Sequence, residues 1–473
     1  MFLFSWFGRK LLTIVKIIMI GYLGLARETF DVPFAMSKFL EGKKVLRNIF
    51  TEIKGIDYLI TNNELSDKAF KYFKDNNFKK IIIFQTTFTD AKFLLHFARK
   101  INKPLCIIAF PEPRTGKRLR LNSVCGLNLG MHSLIKNNIN AEFILYNNHK
   151  DVEKRIKKFI NKKIYSNKII EWKQIRKKSY KKIDIKKQNI GLVGERPEGF
   201  DTCDYSLLEI RKKLNFDIKK IKLNELFSEA KKIKKSVLNS TQIKIEKNLK
   251  NSKKLNQHEL KKSISIYHGL NTLHTKHDVQ AFAVRCWPEM FTEFGCASCG
   301  PMAMMNEKKI SSACEADVLG GISCNILNQL NNQPSLLVDI VDIDEKDNSV
   351  VFWHCGLAPL SMSKKGDAKA DIHSNRKKPL LHNFAFKPGD ITIFRVSKSA
   401  SKLKFFVLKG KVINRKNSFA GTSGVVSFGK NTKNKIEKMF KGGLEHHVAF
   451  TYGDYYNEIV NLGNQMKIPI YTV

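Results

Sequence analysis

Four short apolar runs in the last third of the chain each carry at least one side chain able to bind a metal. They are residues 312–318 with Glu315, 336–341 with Asp339, 351–356 with His354 and 445–450 with His447. A carboxylate set among Leu, Val and Ile is costly to bury unless it is paired or bound to a cation. Two carboxylates and one or two imidazoles on separate strand-like runs form the donor set of an oxygen- and nitrogen-preferring divalent ion. They point to a metal-dependent enzyme acting on a small polar substrate. Taken singly, each acid reads as a helix cap or a solvated strand end. One helix and one turn fit between Glu315 and Asp339, so both can lie on the C-terminal edge of neighbouring parallel strands, where open α/β sheets bind ligands. Gly320-Gly321, just after Glu315, lets backbone and ligand approach closely.

Other candidates divide less sharply. Adjacent residues on a strand face opposite ways, so one histidine of His446-His447 is expected to face the site. His354, between Trp353 and Cys355, reads either as a satisfied core histidine or as a ligand or substrate contact. Arg27 follows the first strand signal and either binds a substrate oxygen or pairs with Asp31. Asp342 and Asp344 read as turn residues, and His274 and His277 as structural. Residues 114–118 hold a Gly-Lys without the spacing of a phosphate loop, and no GxGxxG occurs. Cys296-Ala-Ser-Cys299 is a lone CxxC with no second pair, a weak metal or redox signal.

The elements that must position these groups follow an α/β pattern. Strand signals at 17–25, 58–60, 80–84, 105–110 and 142–146 alternate with helical stretches such as 66–75 and 90–101. A lysine-rich stretch, 151–187, reads as a solvated helix or linker. A second βαβ start follows, with a strand at 190–194, a loop at 196–201, a helix at 205–213 and a strand at 217–223. Residues 228–262 read as a basic surface helix pair, and 278–286 are apolar at helical spacing. From about 361 the texture changes to alternating strands at 387–396 and 403–412, a Gly/Ser-rich 418–428, a helix at 455–464 and a strand at 468–473. The expected division is an uncertain N-terminal extension at 1–18, a first α/β domain at 19–165, a second at 188–360 carrying the acids, and a C-terminal antiparallel β domain at 361–473 with His447.

The chain has 473 residues, too many for a single core. Its formal charge of +40 comes from 83 basic against 43 acidic side chains, which alone suggests nucleic acid or an anionic membrane surface. The excess is mostly Lys with abundant Asn and Ile, as an AT-rich genome produces, and the basic runs lack the aromatic and Arg clusters of RNA-binding strands. No specific nucleic-acid partner is expected. Nine cysteines, mostly in apolar stretches, fit reduced buried thiols rather than a disulfide framework. Residues 1–25 imitate a signal sequence, but Lys16 interrupts the apolar run, and no other stretch approaches a spanning helix. The expectation is a cytoplasmic enzyme with no membrane partner.

The run 313–320, then Val338-Asp339, then Trp353-His354-Cys355-Gly356, then His446-His447-Val448, resembles the L-fucose/L-arabinose isomerase superfamily. Arg27-Glu28-Thr29-Phe30-Asp31 and the loop from Gly194 through Pro197-Glu198-Gly199-Phe200-Asp201 are similar to its short, fucose-isomerase-like members. The motif order is kept over nearly the whole chain. The resemblance implies two Rossmann-like α/β domains followed by a C-terminal antiparallel β-barrel-like domain, a divalent ion of the Mn2+ type, a homo-oligomer, and interconversion of an aldose with its ketose. By motif, Glu315 and Asp339 match the metal-binding acid/base carboxylates and His447 the metal-binding histidine. His354 matches a further histidine ligand of the arabinose-type enzymes, and Arg27 a sugar-contacting arginine. The trimmed first domain leaves the sugar open, a sulfonated one included. A sugar-binding protein on the same scaffold that has lost catalysis is the competing reading.

Overall fold

The computed structural model describes residues 19–50, 52–162, 172–176 and 182–473; the expected extension at 1–18 lies outside them. Strands β1 (Ile20–Leu25), β2 (Ile53–Ile60), β3 (Lys80–Gln85), β4 (Leu105–Ala109) and β5 (Ala141–Leu145) form a five-stranded sheet. Its order is β2-β1-β3-β4-β5, and every pairing in it is parallel. Helices over Val32–Ile49, Asn63–Asp75, Lys92–Ile101, Ser123–Lys136 and His149–Asn161 connect these strands. Cover on both faces is why β3 and β4 read as unbroken apolar runs and are buried throughout.

After a short β6 (Lys173–Ile175), strands β7 (Gln188–Val193), β8 (Phe216–Ile221), β9 (Ala281–Val284) and β10 (Ser311–Ala313) form a second parallel sheet in the order β10-β9-β7-β8. Here the helical expectation for 278–286 fails. Its centre is β9, four buried residues flanked by β7 and β10, and a strand apolar on both faces has no period to distinguish it from a buried helix. The basic insertion is not a surface pair. It folds as helices Leu223–Lys231, Lys235–Asn248 and Gln257–Lys276, and the last buries Leu260, Ile264, Leu270 and Leu273. His277 there pairs with Glu225 at 2.8 Å, and His274 bonds the Val279 carbonyl, both structural roles.

The remaining strands are β11 (Leu336–Asp344), β12 (Ser349–His354), β13 (Lys369–Asp371), β14 (Leu381–Ala385), β15 (Gly389–Ser397), β16 (Lys404–Val412), β17 (Thr422–Ser427), β18 (His447–Tyr452) and β19 (Ile470–Thr472). With β6 they make a ten-stranded mixed sheet, order β13-β14-β17-β12-β11-β18-β15-β16-β19-β6. A further pairing of β16 with β17, Lys411 to Ser427 and Val412 to Val426, links two strands that stand apart in this order. The expected barrel-like unit is thus a large mixed sheet with one cross-connection. Two expectations are corrected in it. Asp339 does not lie on a strand parallel to that leading to Glu315; β11 runs antiparallel to both β12 and β18, in a different sheet from β10. Asp342 is no turn residue: a bulge between Ile340 and Asp342 leaves it buried inside β11, ion-paired to Arg114 at 2.6 Å. Asp344 does cap the following turn, accepting from Lys346 N and Asp347 N.

One continuous apolar cluster runs through all three sheets, from Leu23 through Val193 and Phe282 to Val338 and Phe450. All nine cysteines are free thiols. Among the described residues no helix is long and apolar enough to cross a membrane.

The turn after β12 is built without slack. Gly356 has φ +115°, and a Cβ there would meet the His382 backbone N and O at 2.9 and 2.8 Å. We expect Gly356→Ala to lower stability by about 1–3 kcal/mol and to displace His354, read as a fall in the thermal midpoint; an unchanged midpoint would count against a tight turn. His382, which hydrogen-bonds the Ala358 carbonyl at 2.8 Å, has its pKa pushed down to about 4 by burial. Neutral in the fold and protonatable once unfolded, it contributes stability that is present above the ordinary imidazole value of 6.5 and is lost as pH falls toward 4. Thermal midpoints from pH 7.5 to 4.5 should fall through this window, and His382→Leu should flatten part of that slope.

Candidate active site

The pocket lies where loops from all three sheets meet, with Arg27 beyond β1, Phe88 beyond β3, Trp287 beyond β9 and Glu315 beyond β10, each at the C-terminal end of its strand. Asp339 and His447 come from the large sheet and are direct cross-strand partners on β11 and β18. That register brings His447 Nε2 within 3.4 Å of Asp339 Oδ1 and 3.8 Å of Glu315 Oε2. Glu315 reaches them by an unusual backbone: it and Ala316 both have positive φ, 58° and 55°. Left-handed residues of this kind cost energy and persist where the surroundings over-determine them, commonly at functional sites. Trp287 Nε1 donates to Glu315 Oε1 at 3.1 Å, and His446 Nε2 bonds Oε2 at 3.1 Å.

His446 corrects the expectation that one histidine of the pair faces the site. Both rings do, with centres 3.9 Å apart. Strand alternation does not govern the pair because β18 begins at His447, leaving His446 in the preceding loop. The rings of Phe88 and Phe200 pack against His446, each with its centre 6.1 Å away, and Phe200 also abuts Trp287, so the 196–201 loop serves as an aromatic wedge.

Behind the site lies a network that sequence reasoning missed. His447 Nδ1 bonds Asp317 Oδ2 at 3.0 Å, which turns Nε2 toward Glu315 and Asp339. Arg395, fully buried on β15, grips Asp317 with two hydrogen bonds of 2.7 and 2.9 Å. Asp317 also caps the helix Val318–Asn331 by accepting from Gly320 N at 2.8 Å. Burial alone would raise the Asp317 carboxyl; the Arg395 charge and the hydrogen bonds of His447 and Arg395 outweigh it and hold the group well below the usual carboxylate range. Burial opposes ionisation of Glu315 too, yet the His446 hydrogen bond and the neighbouring imidazoles lower its pKa, whereas in Asp339 burial wins and raises it. For His447, the Asp317 hydrogen bond and the surrounding carboxylates overcome burial and raise the pKa.

Donor chemistry decides what the cluster can hold. Asp339 Oδ1 is buried without a hydrogen-bond partner, an orphan that a cation would satisfy. Ligand atoms of Asp339, His446 and His447 lie within 4.8 Å of one another, as do those of Cys203, Glu315 and His447. Burial and the nearby carboxylates drive the Cys203 thiol far above its usual pKa, and a hard, oxygen-preferring ion favours the carboxylates over a thiol. Two carboxylate oxygens and one oriented imidazole, from Glu315, Asp339 and His447, therefore fit a divalent ion of the Mn2+, Mg2+ or Zn2+ kind.

His354 and Arg27 line the same pocket. His354 Nδ1 accepts from Cys355 N at 2.9 Å, so in the neutral ring Nε2 carries the proton. Burial pushes its pKa down to about 3, keeping it neutral. A ring in this state has an Nε2–H free to donate into the pocket. Arg27 does not pair with Asp31, which caps the first helix and binds Arg120; it pairs with Asp90 at 2.8 Å and lies over the Trp287 ring. A larger cavity, about 490 Å³, lies on the far side of Arg27, but its acids Asp67 and Asp90 have no converging imidazole pair or buried orphan.

Comparison with known proteins adds independent findings. Residues 22–166 match a family model described as fucose/sulfoquinovose isomerase, N-terminal domain, and residues 382–473 one described as L-fucose isomerase, C-terminal domain. A protein of Priestia megaterium named sulfoquinovose isomerase is 28% identical over 455 residues, covering 94% of this chain and 97% of that protein. Proteins of the same name from Alkalicoccus urumqiensis and Clostridium sp. are each 25% identical, each alignment covering 95% of this chain and 98% of the relative.

The Asp317 contact to His447 makes a prediction. Asp317→Asn should lower stability, since it strands the buried Arg395 charge, and the protein that folds should bind Mn2+ about 10–100-fold more weakly, because the carboxylate that orients and polarises the histidine is gone. Gly320→Ala should do the same by sterics, since a Cβ there would meet Asp317 Oδ2 at 2.5 Å and Arg395 Nη1 at 2.8 Å. Titration calorimetry measures both, and wild-type affinity in Asp317→Asn would exclude the orienting role.

Proposed function

Because this chain belongs to the L-fucose/L-arabinose isomerase superfamily as a short, fucose-isomerase-like member, we propose that it is a metal-dependent aldose–ketose isomerase whose substrate is a sulfonated sugar. The observation that carries the reading is the convergence of Glu315, Asp339 and His447 on one pocket around an unpartnered buried Asp339 oxygen. The names of the relatives support the sulfonated substrate.

Converting an aldose to its ketose moves a proton from C2 to C1 and a hydrogen from O2 to O1. Glu315 is the group to move the carbon-bound proton. Its two oxygens are held by Trp287 and His446, so it presents a fixed, ionised base. Asp339, whose burial favours the protonated form, is suited to carry the proton between the two hydroxyl oxygens. His354, donating from Nε2, steadies an oxygen of the chain, and Arg27 closes the wall beside it. A divalent ion held by Glu315, Asp339 and His447 would supply Lewis acidity that makes the C2 proton more acidic. The apolar lining, with Phe88, Trp287 and Trp353, limits water access to the reacting carbons.

Chelator-treated protein, with and without added Mn2+, incubated with sulfonated and neutral aldoses in D2O and followed by NMR, tests the reading. We expect Mn2+-dependent interconversion of a sulfonated aldose, with deuterium entering at C1 or C2. Glu315→Gln should stay folded and lose about 10²–10⁴-fold in kcat. Full turnover in that variant, or no reaction on any aldose with metal bound, would sink the assignment.

A further inference from the structure

Arg27 Cζ lies 5.1 Å and Arg376 Cζ 5.9 Å from the centre of the Trp287 ring, and Arg376 also lies 5.6 Å from that of Phe291. The two cations differ in their company. Arg27 is offset by Asp90 at 2.8 Å. Among the described residues no carboxylate pairs with Arg376, and the acids that line the pocket with it are Glu315 and Asp339. Burial, and then repulsion by Arg27, lower the Arg376 pKa, as expected of a half-buried cation short of a counter-ion.

Arg376 is also held in place. It sits on a loop between β13 and β14 that closes on itself: Arg376 N and Lys377 N donate to the His373 carbonyl at 3.2 and 2.7 Å, and His373 N donates to Lys378 O at 2.8 Å. The His373 ring stands edge-on to Phe291 at 5.2 Å, and Asn375 Oδ1 accepts from Arg118 Nε at 2.7 Å. Trp287 spans the pocket between its two ends, with Nε1 on Glu315 and the ring beside both guanidinium groups. An open six-carbon chain with C1 and C2 beside Glu315 would have this indole, and with it the two guanidinium groups, as its neighbours toward C6.

We infer that Arg376 is the anion-binding residue of this pocket and takes the C6 sulfonate of the sugar, with Arg27 beside the same indole. The inference rests on the isomerase reading for the placement of C1 and C2. A planar guanidinium matches two of the three sulfonate oxygens by paired hydrogen bonds. One uncompensated positive charge suits a monoanion; a phosphate ester, with a charge of about −1.5 to −2, calls for a second.

The test is calorimetric binding of two hexitols that differ only in the C6 sulfonate and lack the carbonyl needed for turnover, to the metal-loaded wild type, Arg376→Gln and Arg376→Lys. We expect the wild type to prefer the sulfonated hexitol. Arg376→Gln should bind it about 10–100-fold more weakly, the loss of a charge-assisted hydrogen-bonded contact, with the neutral hexitol unaffected; Arg376→Lys, which keeps the charge without the fork, should fall between. Equal binding of both hexitols by the wild type, an equal loss on both in Arg376→Gln, or tighter binding of a C6-phosphorylated hexitol would overturn the assignment. Sulfonate-dependent binding through Arg376 without turnover of any aldose would leave the subsite standing and remove the isomerase reading. Turnover indifferent to Arg376 would do the reverse.

Discussion

The buried pair of Asp317 and Arg395 is the contact from which the rest of the site is hung. Asp317 receives four donors: two from Arg395, one from Gly320 N and one from His447. Together they join three elements, namely β15, the start of the helix Val318–Asn331 and β18. Desolvating two full charges is expensive, and such a pair holds only when nearly every lone pair and proton is used. Glu445, with Oε2 3.8 Å from Arg395 Nε and Oε1 accepting from Lys398 N, adds a second negative charge on the same side. The surplus negative charge is what lets His447 sit deep in the protein in a single orientation.

Around that pair the fold divides the work. The two parallel sheets bring loops to one point from their C-terminal edges, and the large sheet sets the spacing by strand register. Register is a stiff constraint, because a one-residue slip would turn Asp339 away from His447. The apolar cluster that passes through all three sheets fixes their relative placement. Glu315 alone reaches the centre by a strained turn, over-determined by Trp287 and His446 on its side chain and by Asp317 two residues on.

Much of this could be read from the sequence, for a physical reason that also explains the misses. A charged or imidazole side chain inside an apolar run announces a compensating partner, and that signal picked out Glu315, Asp339, His354 and His447. The same signal is present in Ile391-Thr392-Ile393-Phe394-Arg395-Val396, which by its alternation reads only as a strand, although its arginine is among the most deeply buried charges of the described residues. The five strands of the first sheet were legible because each is a separate apolar run between amphipathic helices. Sheet membership of β11 was not, since its partner β18 lies over a hundred residues away and nothing local distinguishes a parallel from an antiparallel neighbour. Arg376 left no local trace at all: it sits in a polar stretch rich in Lys, and its lack of a counter-ion is a property of space.

The self-closed loop that carries Arg376 has a consequence for how such a protein can change. Its turn is closed by its own backbone bonds, its C-terminal end is anchored where Pro379 O accepts from Ala297 N and Ser263 Oγ, and among the described residues it shares no hydrogen bond with the Asp317 network. With Arg376 as the anion-binding residue we infer, substitutions there can alter which end-group the pocket accepts while the cluster of Glu315, Asp339 and His447 stays as built. On this scaffold, chemistry and substrate choice can drift on separate clocks, the first bound to strand register and the second to a few half-buried loop residues.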